Sequence, residues 1–201
     1  MNAVLEKQQL PAVGSAFAGG FLAGRINIDG APFALIVAPK AEGEHKDTPW
    51  GKLKRVAGAL SFFDGFANTA AMVDAGSKLA AWARGLKIGG HDDWYVPSRD
   101  ELELCYRNLK PTKEENYCYR GDNPSSIPVG YAYMPDAPAQ TPIEAFKEGG
   151  AEAFDDSWYW SSTQFAGDGG YAWTQSFGYG NQLGDLKVNG CRCRAVRRVA
   201  I

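Results

Sequence analysis

Histidine and cysteine are scarce, and those present are poorly spaced for metal chemistry. The 201 residues include two histidines and four cysteines, Cys105, Cys118, Cys191 and Cys193. No cysteine pair has the C-x₂-C spacing of a zinc site, and neither histidine is placed to complete one. Cys191 and Cys193 fall on one side of an expected strand, where a disulfide between them would distort the backbone. Four free thiols are therefore expected in a reducing compartment. A G-x-S-x-G turn and a glycine-rich phosphate loop are both missing. No apolar run approaches the roughly 20 residues that span a bilayer. The first ten residues lack a basic segment followed by an apolar one, so no secretory signal is expected. A net charge of -2 gives no general attraction to nucleic acid or anionic membrane.

What is present describes a folded globule. Aromatics make up 12% and charged residues only 22%, a balance that can fill a core. With no internal repeat and no dividing linker, the chain reads as a weakly patterned segment, residues 1–20, loose or partner-bound, followed by a single domain, residues 21–201. Phe21 to Asn27 and Phe33 to Ala38 flank Asp29-Gly30, a strong hairpin signal. Glu42 to Pro49 reads as a loop. Asn68 and Thr69 are candidate N-caps for a helix from Ala70 to Arg84, with Met72, Leu79, Trp82 and Leu86 facing inward. Ser98 and Glu101 form a capping box before a second helix, whose apolar stripe is Leu102, Cys105, Tyr106 and Leu109 and whose end is Lys110-Pro111. From about 112 to 140 the chain shows no period and reads as a surface insertion. Thr141-Pro142-Ile143-Glu144 opens a short helix to Glu148, and three or four antiparallel strands follow.

The last stretch, 158–201, interleaves two sorts of residue. Trp173, Gln175 and Phe177 sit two apart, as a strand with one buried face requires. Gln182, Lys187, Arg192, Arg194 and Val196 continue this bulky or hydrogen-bonding set. Between them lies a miscellany of Gly, Asp, Tyr, Asn, Leu, Val, Cys, Ser and Thr. Thr174, Ser176 and Gly178 are expected to face away from the core, so that a fixed frame presents a changeable surface. Exposed Leu183, Leu186 and Val188 would be odd unless they bind something.

Several features have a sharp and a bland reading. Trp158, Trp160 and Trp173 could stack on sugar, but core packing is the better account. Arg192, Arg194, Arg197 and Arg198 form too short a basic strand for nucleic acid, and some must point inward as multidentate donors. His91-Asp92-Asp93 is the best acid–base or metal candidate, yet a turn whose Asp side chains bond backbone explains it as well. Asp64-Gly65 likewise reads as a turn.

Three motifs together carry a resemblance: Asp93-Trp94-Tyr95-Val96-Pro97-Ser98-Arg99-Asp100-Glu101-Leu102, then Tyr159-Trp160-Ser161-Ser162-Thr163-Gln164, then Ala172-Trp173 through Arg194-Ala195-Val196-Arg197-Arg198. From about Gly20 onward the chain resembles the C-type-lectin-like domain of bacteriophage proteins and the variable proteins of diversity-generating retroelements. That resemblance implies an α+β, C-type-lectin-like fold, with two main helices flanking a mixed, mostly antiparallel sheet. It implies a ligand surface on the C-terminal strands and loops, at Asp168, Tyr171, Thr174, Ser176, Gly178, Tyr179, Asn181, Leu183, Asp185, Leu186, Val188, Asn189 and Cys191. Gly167, Gly169, Gly184 and Gly190 are further positions of the variable kind. Adenine changes in an asparagine codon reach the residue types found there. The implied protein is a non-enzymatic receptor-binding module with no cofactor, catalytic group or metal. It would be made in a bacterial cytoplasm and carried on a virion as part of a tail fibre. Its partners would be a host cell-surface protein or glycan, a phage tail component and copies of itself, with neither nucleic acid nor membrane insertion. The tripeptides of calcium-dependent sugar lectins are absent. A virion structural or assembly protein is the alternative. A relative of the formylglycine-generating oxidases is less favoured, because Cys191 and Cys193 are spaced unlike the cysteine pair of that group.

Overall fold

A computed structural model describes residues 10–118 and 121–201. Strands β1 (Ala16–Phe17), β2 (Gly20–Ile28) and β3 (Ala31–Val37) open the chain. The β2–β3 hairpin turns at Asp29 and Gly30, whose φ angles are 51° and 87°. Asn27 Oδ1 accepts from the Gly30 amide at 2.7 Å. The expected loose N-terminal segment is corrected from Leu10 onward: β1 pairs with β2, and Gly14 N donates to Leu22 O at 2.8 Å. Residues 1–9 lie outside the described residues.

The expected loop at Glu42–Pro49 is also corrected. It holds a one-turn helix α1 (Lys40–Gly43) and strand β4 (Glu44–Thr48). Glu-His-Lys-Asp-Thr has weak strand propensity; its partner is a strand at the far end of the chain.

The single helix expected over 70–84 is two, α2 (Gly65–Asp74) and α3 (Lys78–Gly85). Gly76, at φ 81°, ends the first in a double hydrogen-bonded stop: Gly76 N donates to Val73 O and Ser77 N to Met72 O. Ser77 then caps the second, accepting from Ala80 N at 3.3 Å while its hydroxyl donates to Trp50 O at 2.6 Å. The cap of α2 is Asp64, accepting from Ala67 N at 3.0 Å. Asn68 and Thr69 are not caps but buried residues inside α2. Each bonds a neighbouring segment: Asn68 Nδ2 donates to Ser61 O at 2.7 Å, and Thr69 Oγ1 accepts from Val96 N at 3.1 Å.

Helix α4 (Arg99–Leu109) has the expected capping box, and its apolar stripe is buried. Its polar side is buried too, because residues from the described part of the insertion, 112–118 and 121–140, lie over it. Asn123 Nδ2 donates to Glu103 Oε2 at 2.6 Å, Ser125 Oγ to Asp100 Oδ2 at 2.7 Å and Tyr133 OH to Glu103 Oε1 at 2.8 Å. The helix expected after Thr141 shrinks to a 3₁₀ turn at Glu144–Phe146.

Five strands complete the chain: β5 (Trp158–Gln164), β6 (Tyr171–Ser176), β7 (Gln182–Leu186), β8 (Cys191–Arg194) and β9 (Val196–Ala200). They are divided between two sheets of order β1-β2-β3-β9 and β4-β8-β5-β6-β7. The second sheet is mixed, since β5 runs parallel to β8 at Tyr159 and Arg192. The architecture is α+β. One core cluster sets Leu102, Cys105, Tyr106 and Leu109 of α4 against Ile26 and Leu35 of one sheet and Tyr159 of the other. A second sets Met72, Leu79 and Ala83 against Trp160, Ala172, Cys191 and Cys193. Among the described residues no helix is long and apolar enough to cross a membrane.

Candidate functional site

The C-terminal region is held by polar side chains that reach into other parts of the chain. Ser162 N donates to Pro97 O at 2.7 Å, Thr163 Oγ1 accepts from Arg99 N at 2.9 Å, and Gln164 Oε1 accepts from Val56 N at 2.6 Å. Lys187, fully buried, donates to Gln164 Oε1 at 2.6 Å and Lys54 O at 2.9 Å, over the Trp50 ring at 4.1 Å. Burial lowers its pKa to about 8. Arg99 donates through Nε to Gln182 Oε1 at 2.9 Å, fixing the start of β7, and lies over the rings of Trp173 and Phe62.

The arginines of the last strands do the same work. Arg194 donates to Ala38 O at 2.7 Å, Glu152 Oε2 at 2.7 Å and Glu44 Oε2 at 3.4 Å. Arg192 pairs with Glu44 at 3.0 Å and Asp155 at 2.8 Å, and Arg198 with Asp64 at 3.0 Å. Arg197 grips both oxygens of Asp93 at 2.6 and 2.9 Å. This bond holds the Asp93 carboxyl below its ordinary pKa against an opposing desolvation. Asp93, in the strongest acid–base motif of the sequence, is thus spent on structure. His91 and Ile88 exchange backbone hydrogen bonds at 3.0 Å around Gly89-Gly90, as a turn. Trp160 is fully buried, its Nε1 donating to Thr48 O at 2.8 Å, and Trp173 is buried beside Phe62 and Phe165. The four cysteines are free, Cys118 alone being exposed.

Of the candidate ligand-binding residues, Asp168, Tyr179, Leu183, Val188 and Asn189 are exposed, while Tyr171, Asn181, Asp185 and Leu186 are half-buried. Thr174, Ser176, Gly178 and Cys191 are buried, against the expectation that they face away from the core. The reason lies in the sheet, which is covered on both sides. Thr174 pairs with Trp160, and Trp160, Ala172 and Cys191 belong to the core built on α2 and α3. Thr174 Oγ1 donates to Leu183 O at 2.9 Å, and Ser176 Oγ accepts from Tyr179 N at 3.3 Å. A side chain at Gly178 would meet the Asp156 carboxylate. Asp185 has an internal task as well: Oδ1 accepts from Leu186 N and Asn189 Nδ2, both at 2.8 Å, bracing the turn between β7 and β8.

The exposed Tyr179 borders a cleft of about 540 Å³ that it shares with Asn181 and with Glu114, Glu115, Asn116 and Tyr117 of the 112–140 region. Tyr117 N donates to Tyr179 O at 2.7 Å, joining its two walls. The sequence reading missed Glu114, Glu115 and Tyr117. Their only signal was an aromatic beside two acids in an unpatterned stretch.

An α+β frame whose polar interior serves to brace a terminal surface defines the general class of the molecule. The chain belongs to the Lcl C-terminal domain family, whose model matches residues 49–197, a range that includes α2 through β8 and the whole candidate surface. That membership is consistent with the resemblance to phage C-type-lectin-like variable proteins. No curated protein matches the chain.

Proposed function

We propose that this is a non-enzymatic ligand-binding module with a C-type-lectin-like fold, displaying an exchangeable C-terminal surface to a host cell-surface protein or glycan. Joined to a phage tail component or to further copies of itself, it gains affinity from several sites acting together. One observation carries the reading. Along 175–194 the interior positions Gln175, Gln182, Lys187 and Arg194 are buried, whereas Tyr179, Leu183, Val188 and Asn189 stand exposed between them. Exposed positions of this kind can be exchanged at about ±0.5 kcal/mol each, and a tyrosine among them offers large contact area at low entropic cost. Against an oxidase reading, burial raises the Cys191 thiol to about 12 and pushes Cys193 up as well, which leaves little thiolate at neutral pH.

Labelled protein is expected to bind cells of a host strain, and Tyr179→Ala to remove that binding without moving the melting temperature. Undiminished binding by the variant would overturn the assignment of the surface. The alternative, a virion assembly protein, predicts a uniform gene end among sibling isolates. Adenine-confined changes at the exposed positions favour the receptor reading.

A further inference from the structure

We infer that Asn189 is a modification site, where the side-chain amide is lost through a cyclic imide and the turn between β7 and β8 gains a carboxylate. The inference goes beyond the binding role proposed above and does not depend on it. Asn189 is followed by Gly190, and no other asparagine of the chain is followed by glycine. The reaction needs the backbone nitrogen of the next residue to reach the asparagine Cγ, which a residue without a Cβ hinders least. Both residues are exposed. Among the described residues the Gly190 N–H has no hydrogen-bond partner, so the nucleophile is not committed to the fold.

The other described asparagines lack these features. Asn68 and Asn123 are fully buried and Asn116 nearly so. Asn123 also precedes Pro124, which has no N–H to attack with. Asn27, Asn108 and Asn181 precede the bulky Ile28, Leu109 and Gln182, each inside a strand or helix.

The Gly190 nitrogen gives up its proton and bonds to Asn189 Cγ, the Cγ–Nδ2 bond breaks, and Nδ2 leaves with that proton as ammonia. Water then opens the imide. Opening at Cγ yields an aspartate; opening at the backbone carbonyl yields an isoaspartate, whose main chain runs through the side-chain methylene. No oxidant or reductant takes part.

The product disturbs a turn that the amide now braces. Asn189 Nδ2 donates to Asp185 Oδ1 at 2.8 Å, an oxygen that also accepts from Leu186 N at 2.8 Å. This bond is exposed, so water competes with it and it does not lock the side chain. After the change the donor is gone and a second carboxylate faces Asp185, which turns attraction into repulsion. Asn189 N also donates to Leu186 O at 2.9 Å, and an isoaspartate lengthens the main chain between that bond and Gly190. The turn therefore opens between Leu186 and Cys191, around the exposed Val188.

The test is to age the full chain in mildly alkaline buffer, digest it in acid, and map the peptides by mass spectrometry. The peptide spanning the β7–β8 turn should gain one mass unit and split into two chromatographic species, aspartate and isoaspartate. The gain should slow several-fold in mildly acidic buffer, where the backbone nitrogen keeps its proton, and in Gly190→Ala; Asn189→Gln should show none. Asn189→Asp should shift the amide resonances of Asp185 to Gly190 and leave those of α4 and β9 in place. No gain at Asn189, an equal gain at the other asparagines, or a rate indifferent to pH would overturn the site. Unmoved Asp185 and Leu186 resonances in Asn189→Asp would overturn the opening of the turn.

Discussion

Replacing Arg194 with methionine tests the division between frame and surface. The side chain is fully buried, with the Glu44 carboxylate, itself 2% exposed, and Glu152 as its ionic partners. Methionine keeps much of the volume and removes the cation. It strands the Ala38 carbonyl that Arg194 Nε serves and leaves Glu44 to Arg192 and the Tyr159 hydroxyl. Breaking a buried pair from one side costs about 3–5 kcal/mol, a large part of the ~5–15 kcal/mol that holds a domain together. For a chain of this size each kcal/mol is about 2–4 °C, so the melting temperature should fall by about 6–20 °C. Tyr179→Ala, half exposed in a turn, should stay within about 0.5 kcal/mol. Urea titration followed by tryptophan fluorescence measures both. Adding Glu44→Gln to Arg194→Met should recover part of the loss, since it removes the carboxylate left short of a partner. The reasoning is refuted if Arg194→Met costs under about 1 kcal/mol, or if Tyr179→Ala costs as much.

Three further outcomes follow from the same contacts. Burial raises the Glu101 carboxyl from 4.5 to about 7, although Tyr95 OH and the Ser98 amide donate to it. A raised carboxylate pKa means that the folded state holds the proton more tightly. The group's contribution is therefore full below about 4.5 and lost as pH rises through 7. The urea midpoint of the parent should decline over that window relative to Glu101→Gln, and parallel profiles would refute it. Gly180→Ala, at φ 79° against the Tyr106 ring, should destabilise by more than about 1 kcal/mol in thermal melts; an unchanged melting temperature would count against the packing described. Ellman's reagent should find one reactive thiol, Cys118, in the native protein and four after unfolding; rapid reaction of Cys191 would mean that the end of the second sheet opens.

Signals that act over three or four residues were legible in the sequence. Asp29-Gly30 made its hairpin and Ser98 with Glu101 its capping box. Ala75-Gly76-Ser77 carried its helix stop and restart just as locally, but the apolar period runs through it and suggested one continuous helix. Strand β4 could not be read, because its partner β8 lies at the far end of the chain and nothing in Glu44–Thr48 itself favours extension. Alternation along β6 separated two faces correctly and buried Trp173, Gln175 and Phe177. It could not say that the second face is covered as well, since a period of two is the same for a strand with one dry side or two. That is why Thr174 and Ser176 were expected in solvent. At the cleft Tyr179 was visible as an anchor, while Glu114, Glu115 and Tyr117 depended on where Asn116 is pinned, a contact between segments that no local pattern encodes.

The pairing of β9 with β3 and of β8 with β4 ties each sheet's early strands to partners far along the chain. Neither sheet can close while the ribosome still holds those partners, so folding waits until β8 and β9 have emerged. A premature stop or frameshift upstream of Cys191 leaves β3 and β4 as bare edges, and such products are prone to aggregation or proteolysis. The topology thus acts as a quality gate, through which only messages read in frame past β9 yield a closed fold.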